Sequence, residues 1–456
     1  MTDAAPMLSL LGFLMVGAFM TLIMTRRLSP LTALILVPIA FGLIAGFGAG
    51  LGPMMLEGIG KIAPTAVMLL FAILYFGLMI DAGLFDPLVS ALLRVVGDDP
   101  VRIVVGTVAL ASFVSLDGDG STTYMICVAA LLPLYRRLGL NPLIMACLIM
   151  LSSGVMNLTP WGGPTARAAS ALQLEAADVF LPMVPAMAVG VLWLLGLGYL
   201  YGRAERRRLG RLTLDGGEPD GDGAGPGVSV EEMVDETNPG LSVSSDLAAR
   251  RPGRLWFNAL LTVALMTLLV LGVLPLPVLF MGAFCIALVV NYPRLDDQKA
   301  RIAAHAPAVL AVVSLIFAAG VFTGILNGTG MVEAMSRSLI GVIPEPLGPY
   351  MAPITGLISL PMTFFVSNDA FYFGMLPILA ETASHYGISK QAVASAALVG
   401  QPLHLLSPLV PSTYLLVSLA GVEFGAHQRF TFLWAVATSL VLLAAGLVTA
   451  AFPLAS

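Results

Sequence analysis

Met156-Asn-Leu-Thr-Pro-Trp-Gly-Gly-Pro-Thr165 lies inside an apolar run, Leu138 to Ala166, that contains no Asp, Glu, Lys or Arg. The run is long enough to cross a bilayer, for which ~20 apolar residues in a helix suffice. Its centre forbids an unbroken helix. Pro160 and Pro164 remove backbone donors, and Gly162 and Gly163 are poor helix formers. Backbone broken at membrane depth survives only where it is buried in protein or lines a cavity. A second stretch, His404-Leu-Leu-Ser-Pro-Leu-Val-Pro-Ser-Thr413, has the same character. One broken membrane helix in each half of the chain is therefore expected.

The rest of the sequence supports a membrane reading. Of 456 residues, 58% are hydrophobic and 11% charged, against roughly 25% charged in soluble domains. Cys127, Cys147 and Cys285 all sit in apolar runs, so they read as small core residues without disulfides. The first residues lack the basic region of a secretory signal, so Met7–Thr25 is expected to stay as a helix. Further spans are expected at 28–47, 62–80 and 179–202, with an amphipathic interfacial helix over 81–100. Residues 102–137 are apolar at both ends around Ser115-Leu-Asp-Gly-Asp-Gly-Ser-Thr-Thr123. The two arms are short, and the segment reads as a re-entrant hairpin preceding the broken helix at about 138–172. Residues 203–254, framed by eight arginines and rich in Gly, Asp and Glu between them, read as a cytoplasmic flexible linker. The stretch between those arginines is acidic, the net charge of the chain is −5, and no nucleic-acid partner is expected.

After the linker the order recurs. Leu274-Pro-Leu-Pro277 splits 255–293 into two helices, and a span at 302–331 and an amphipathic piece at 332–346 follow. A hairpin at about 347–386 has Ser367-Asn368-Asp369 at its tip, and the second broken helix covers about 389–421. A last helix ends near Ala451. Pro160 and Pro408 (408 − 160 = 248), Thr165 and Thr413 (413 − 165 = 248) and Gly139 and Gly387 (387 − 139 = 248) share one offset, which also superposes the two hairpin tips. The expected fold is an all-α polytopic membrane protein of two repeats, 1–202 and 255–456. Each repeat holds about five crossings, one of them broken, and one hairpin. An odd number of crossings inverts the second repeat. With both termini outside, nearly all Arg and Lys fall on the cytoplasmic side, as the positive-inside rule requires. Inverted repeats with discontinuous helices are the architecture of secondary transporters.

The candidate site combines the tips and the breaks. Ser121, Thr122, Ser367 and Asn368 supply neutral donors at helix N-termini, suited to carboxylate oxygens. Asn157, Thr159, Gly162, Gly163 and Thr165, with Ser407, Pro408, Ser412 and Thr413, supply small side chains and freed backbone. Asp117, Asp119 and Asp369 are acids at membrane depth and need a cation, a proton or an arginine. Arg167 can pair with a substrate carboxylate, or with Glu175 or Asp178. His404 reads as either a coupling group or a buried neutral histidine. Trp161 packs the break or touches substrate.

The motifs Ser115–Thr123, Asn157-Leu-Thr-Pro-Trp-Gly-Gly-Pro-Thr-Ala-Arg167 and Val366-Ser-Asn-Asp-Ala-Phe-Tyr-Phe-Gly-Met-Leu-Pro377 resemble the citrate–divalent metal–proton symporter family. That family belongs to the ion transporter superfamily and is related in fold to the divalent-anion/sodium symporters, whose tips carry Ser-Asn-Thr. The departures here, Asp119-Gly-Ser-Thr122 and Ser367-Asn368-Asp369, favour metal–citrate over the sodium sites of those relatives. The resemblance implies uptake of citrate chelating Mg²⁺ or Ca²⁺, with protons, through the cell (inner or plasma) membrane. No permanently bound cofactor is implied. It also implies a homodimer in which a dimerising scaffold supports a transport domain moving as an elevator. Charge arithmetic agrees, because one divalent ion reduces citrate from about −3 to about −1 beside several carboxylates. A sodium-coupled di- or tricarboxylate or gluconate-type carrier is the alternative. An intramembrane aspartyl protease lacks the Tyr-Asp context it needs.

Overall fold

The computed structural model of the chain describes residues 4–87, 90–91, 99–118, 120–209 and 249–456. Asp119, residues 88–89 and 92–98 of the expected interfacial helix over 81–100 and most of the linker over 203–254 lie outside the described residues. Every regular element among the described residues is helical, and seven helices are long and apolar enough to cross a membrane.

Three entry helices lead in. They are α1 (Ala4–Met24), α2 (Pro30–Ile44) and α3 (Leu51–Asp81). The first hairpin is α4 (Pro100–Val114), a 3-10 turn at Ser115–Asp117, and α5 (Gly120–Arg137). The first broken helix is α6 (Pro142–Met156) and α7 (Gly163–Leu172). A short α8 (Ala176–Phe180) and the long α9 (Val184–Leu209) close the first half. Starts follow one chemistry. Ser29, Asp99 and Asn141 accept from Thr32, Val101 and Leu143 amides, and each is followed by proline at the first helical position.

The second half runs α10 (Leu255–Val270), α11 (Leu276–Asn291), α12 (Leu295–Gly328) and α13 (Met331–Ile340). Its hairpin is α14 (Met351–Phe365), a π-helical turn at Ala370–Met375 and α15 (Leu376–Ser384). Its broken helix is α16 (Lys390–Ala397), α17 (Gln401–His404) and α18 (Pro411–Ala420), before α19 (Phe424–Val448). The 248-residue offset holds at helix ends. Helix α7 spans 163–172 and α18 spans 411–420. Their left-handed caps, Gln173 (φ 57°) and Gly421 (φ 68°), are 421 − 173 = 248 apart.

Two spans differ from the sequence expectation. Helix α3 begins at Leu51 rather than 62, and Glu57 and Lys61 pair on its surface at 2.9 Å. Helix α12 begins at Leu295, so Lys299 and Arg301 are helical. At 31 and 34 residues these helices are about 46 and 51 Å long, more than the ~30 Å hydrocarbon core. Their charged ends extend past it. The first hairpin arm with its 3-10 turn reaches 18 residues, Pro100–Asp117, long enough by length alone to cross.

Helices α3 and α12 cross closely. A Cβ on Gly58 would sit 2.0 Å from the Gly320 carbonyl oxygen, and one on Gly324 would sit 2.3 Å from that of Met54. Small residues at this crossing let two backbones touch. The broken helices, hairpins, α9 and α19 pack on one another, with the first hairpin against α18 and the second against α7.

Candidate substrate site

Tip 1 is built by its glycines. Asp117 ends the 3-10 turn and Gly118 follows at φ 80°, the left-handed region that glycine enters without strain. A Cβ on Gly118 would lie 2.8 Å from Trp161 Cδ1. That approach lets Trp161 Nε1 donate to the Leu116 carbonyl at 2.8 Å. The indole also packs on Phe76 and Phe280, with centroids 5.3 and 5.1 Å away. Trp161 thus fastens the first break to the tip of the first hairpin. Asp117, Ser121 and Thr122 are all buried there.

The break is a compact turn. Asn157 caps α6, and the Gly162 amide donates to the Thr159 carbonyl at 2.8 Å. A Cβ on Gly162 would lie 2.0 Å from the Asn157 carbonyl oxygen, so only glycine fits. The Thr165 hydroxyl donates to the Leu158 carbonyl at 2.9 Å, and that of Thr413 donates to the Leu405 carbonyl. In both halves the repeated threonine satisfies a carbonyl released by the break. Ser407 likewise donates to the Phe364 carbonyl at 2.6 Å and accepts from the Leu409 amide. His404 is buried, and its Nδ1 donates to the Thr363 carbonyl at 2.6 Å. These four side chains hold the breaks together. By contrast, Asn157 Oδ1 and Thr159 Oγ1 are buried with no hydrogen-bond partner among the described residues.

Tip 2 is held by a different device. Asn368 and Gln401 exchange reciprocal amide hydrogen bonds at 3.3 and 3.2 Å, and Gln401 Nε2 also donates to the Tyr372 hydroxyl at 2.8 Å. Ser367 Oγ accepts from the Ala370 amide at 3.2 Å. Asp369 accepts from Arg167 Nε at 2.6 Å, with the two side chains 14% and 24% exposed. Arg167 also donates to the Gly163 carbonyl at 3.1 Å. Its carboxylate is therefore Asp369 of the second hairpin, and neither Glu175 nor Asp178.

A cavity of about 1160 Å³ meets this assembly. One wall is Asp117, Gly118, Thr122, Trp161, Gly163 and Arg167, and the other is formed by α3 and α12. Tip 2 reaches it through the Arg167–Asp369 pair. Among the described lining residues, none comes from the second break. Pro408 is exposed and Ser412 half-buried elsewhere. Asp119 lies outside the described residues. Gln401 and Tyr372 were not legible as site residues. One signal did exist for Gln401, because it stands 401 − 153 = 248 after Ser153, polar in the same apolar position.

Residues 19–400 match the citrate transporter family. The chain belongs to that family. It is a polytopic α-helical membrane transporter, not an enzyme. It is 55% identical over 441 residues, 97% of this chain and 98% of the relative, to a "Citrate transporter" of Bacillus subtilis (strain 168). A second relative from that organism is 51% identical over 98% of this chain and 99% of its own length, and is named "Mg(2+)/citrate complex secondary transporter". The crystal structure of the Alcanivorax borkumensis YdaH transporter shares the fold, with a TM-score of 0.52 and 16% identity over 88% of this chain and 89% of that one.

Proposed function

We propose that the protein imports citrate complexed with a divalent cation, coupled to protons, by an elevator movement of the hairpins and broken helices along α3 and α12. The observation that carries this reading is the Arg167–Asp369 pair at the cavity. Separating a largely buried ion pair strands two charges, at a cost of several kcal/mol, unless new partners replace both. A chelate carries both replacements. A citrate carboxylate takes Arg167, and Asp369 or Asp117 turns to the metal. Bare citrate offers no partner for Asp369 and adds about three negative charges beside Asp117 and Asp369. The metal travels as part of the substrate, so one or two protein carboxylates are enough to contact it.

The name of the Mg²⁺/citrate relative supports the same substrate class. Helix ends repeating at one offset support two related halves, and the arginine-rich linker supports their inverted arrangement with the linker cytoplasmic. Apolar exposure of Trp256, Leu260 and Val263 on α10 suits lipid or a second protomer of a homodimer. Uptake of radiolabelled citrate into proteoliposomes, with and without Mg²⁺ or Ca²⁺ under imposed pH or sodium gradients, tests the reading. Metal-dependent uptake driven by the pH gradient is expected. Uptake driven by sodium without added metal refutes it.

A further inference from the structure

The cavity has a second polar station on the wall opposite tip 1. Asp81, at the end of α3, and His305, on α12, both line it. His305 Nε2 lies 2.8 Å from Asp81 Oδ2, and Arg301 Nη1 reaches the same oxygen at 3.3 Å. Asp81 is only 7% exposed. A carboxylate oxygen accepts, so Nε2 donates in the His305–Asp81 hydrogen bond. The lone pair of the neutral ring is then on Nδ1. This edge lies against the bare Cα of Gly77, where a Cβ would sit 2.6 Å from Nδ1. Gly77 lines the same cavity, and its missing side chain makes the room in which the ring lies.

Elsewhere this wall is apolar, with Ile73, Phe76, Ile80, Ala308 and Val312. Among the described residues, the charged groups around the histidine are few. Asp81 and Arg301 touch its station, with Tyr292, the residue after α11, under the Arg301 guanidinium at 6.0 Å. Arg250, paired with Asp86, lies at the linker end, and Asp117 and Arg167 face it across the cavity. Histidine is the side chain whose ordinary titration falls near neutral pH.

We propose that His305, positioned by Asp81 and Gly77, accepts the co-transported proton in the linker-side cavity. The inference rests on the proton-coupled reading above. A carboxylic acid facing the cavity gives its proton to Nδ1 and becomes a carboxylate. The imidazolium formed is balanced by Asp81, and it then passes the proton to water and returns to the neutral ring. A group fixed to α3 and α12 meets the loaded tip only when the moving elements stand on the linker side, which confines proton release to that side.

The test compares net uptake with exchange in proteoliposomes that enclose a pH-sensitive dye, using the full chain and Mg²⁺–citrate. His305→Gln keeps a donor for Asp81 and cannot take a proton. Gly77→Ala puts a Cβ 2.6 Å from Nδ1 and Cε1 and so displaces the ring from its seat without changing an ionisable group. In both, exchange of external for internal Mg²⁺–citrate persists near the wild-type rate, because a loaded carrier returns without shedding its proton. Net uptake falls about a hundred-fold in His305→Gln, the lower range for loss of a positioned proton-transfer group, and stops responding to internal pH. Wild-type net uptake and pH response in His305→Gln, with the dye still reporting proton entry, overturns the assignment and leaves symport standing. Equal loss of exchange and net uptake in both variants, with Mg²⁺–citrate binding retained in detergent, also overturns it. Accumulation by the wild type with no dye signal overturns the coupled reading as well.

Discussion

Replacing Asp369 by Asn removes one charge from the 2.6 Å contact with Arg167 and leaves an amide of nearly the same shape. Two unit charges about 4 Å apart attract by roughly 4 kcal/mol at an effective dielectric constant of 20. Desolvation of the pair and water in the adjoining cavity offset about half, leaving ~2 kcal/mol for the charged partner. If Asp369 is the carboxylate that turns to the metal in the proposed loaded carrier, Asp369→Asn is expected to lose ~2 kcal/mol of chelate binding, about 30-fold in affinity. Bare citrate responds in the opposite direction. Arg167 is now released from its carboxylate, and one negative charge no longer repels a trivalent anion. Equilibrium binding of radiolabelled citrate to purified carrier, with saturating Mg²⁺ and with chelator, measures both. The preference for the chelate is expected to fall by at least 30-fold, with the chelate weaker and bare citrate unchanged or tighter. An unaltered preference in a folded variant refutes the charge-exchange argument, because Asp369 would then make no contact with the metal.

Thr165→Val and Thr413→Val each strip a hydroxyl from a carbonyl freed by a break, so each should cost about 1–2 kcal/mol in thermal unfolding in detergent. Neither is expected to change the substrate KM much, and a large KM effect with unchanged stability would return these threonines to the binding surface. Gln401→Leu leaves the Asn368 amide and the Tyr372 hydroxyl short of a partner, at about 1–3 kcal/mol, and should raise KM by loosening tip 2. Wild-type values of both quantities would show that this network does not hold the tip. At the base of the first hairpin, partial burial pushes the Asp99 carboxyl up, but Arg206, the Val101 amide and Arg102 together bring it below the usual carboxylate range. A lowered folded value gives stability that is present above the unfolded pKa of about 3.9 and is lost as pH falls through the folded one. Arg206→Ala should therefore lower unfolding temperature above pH 4 and have little effect in stronger acid. A loss independent of pH would assign Arg206 a packing role.

What the sequence made legible was periodicity and punctuation. Apolar length placed the helices, Pro and Gly placed the breaks, and one offset linked Pro160 to Pro408 and Thr165 to Thr413; the structure extends that offset to the helix starts at Gly163 and Pro411 and the caps at Gln173 and Gly421. Partner choice was not legible, because it depends on which elements the fold brings together. The sequence placed Arg167 beside Glu175 and Asp178, yet its carboxylate comes from a hairpin 202 positions away. The hydroxyls at the breaks illustrate the same limit. A Thr after a Pro-Gly break has two calls on it, a ligand and the orphaned carbonyls of its own helix, and the carbonyl is always present. In hydrocarbon an unmet carbonyl costs several kcal/mol, so Thr165 and Thr413 are claimed by Leu158 and Leu405. Under the proposed reading, the groups left for substrate are those whose own backbone does not need them. Arg167 already has a counter-charge that a chelate can replace, and Asn157 Oδ1 and Thr159 Oγ1 are buried with no partner among the described residues.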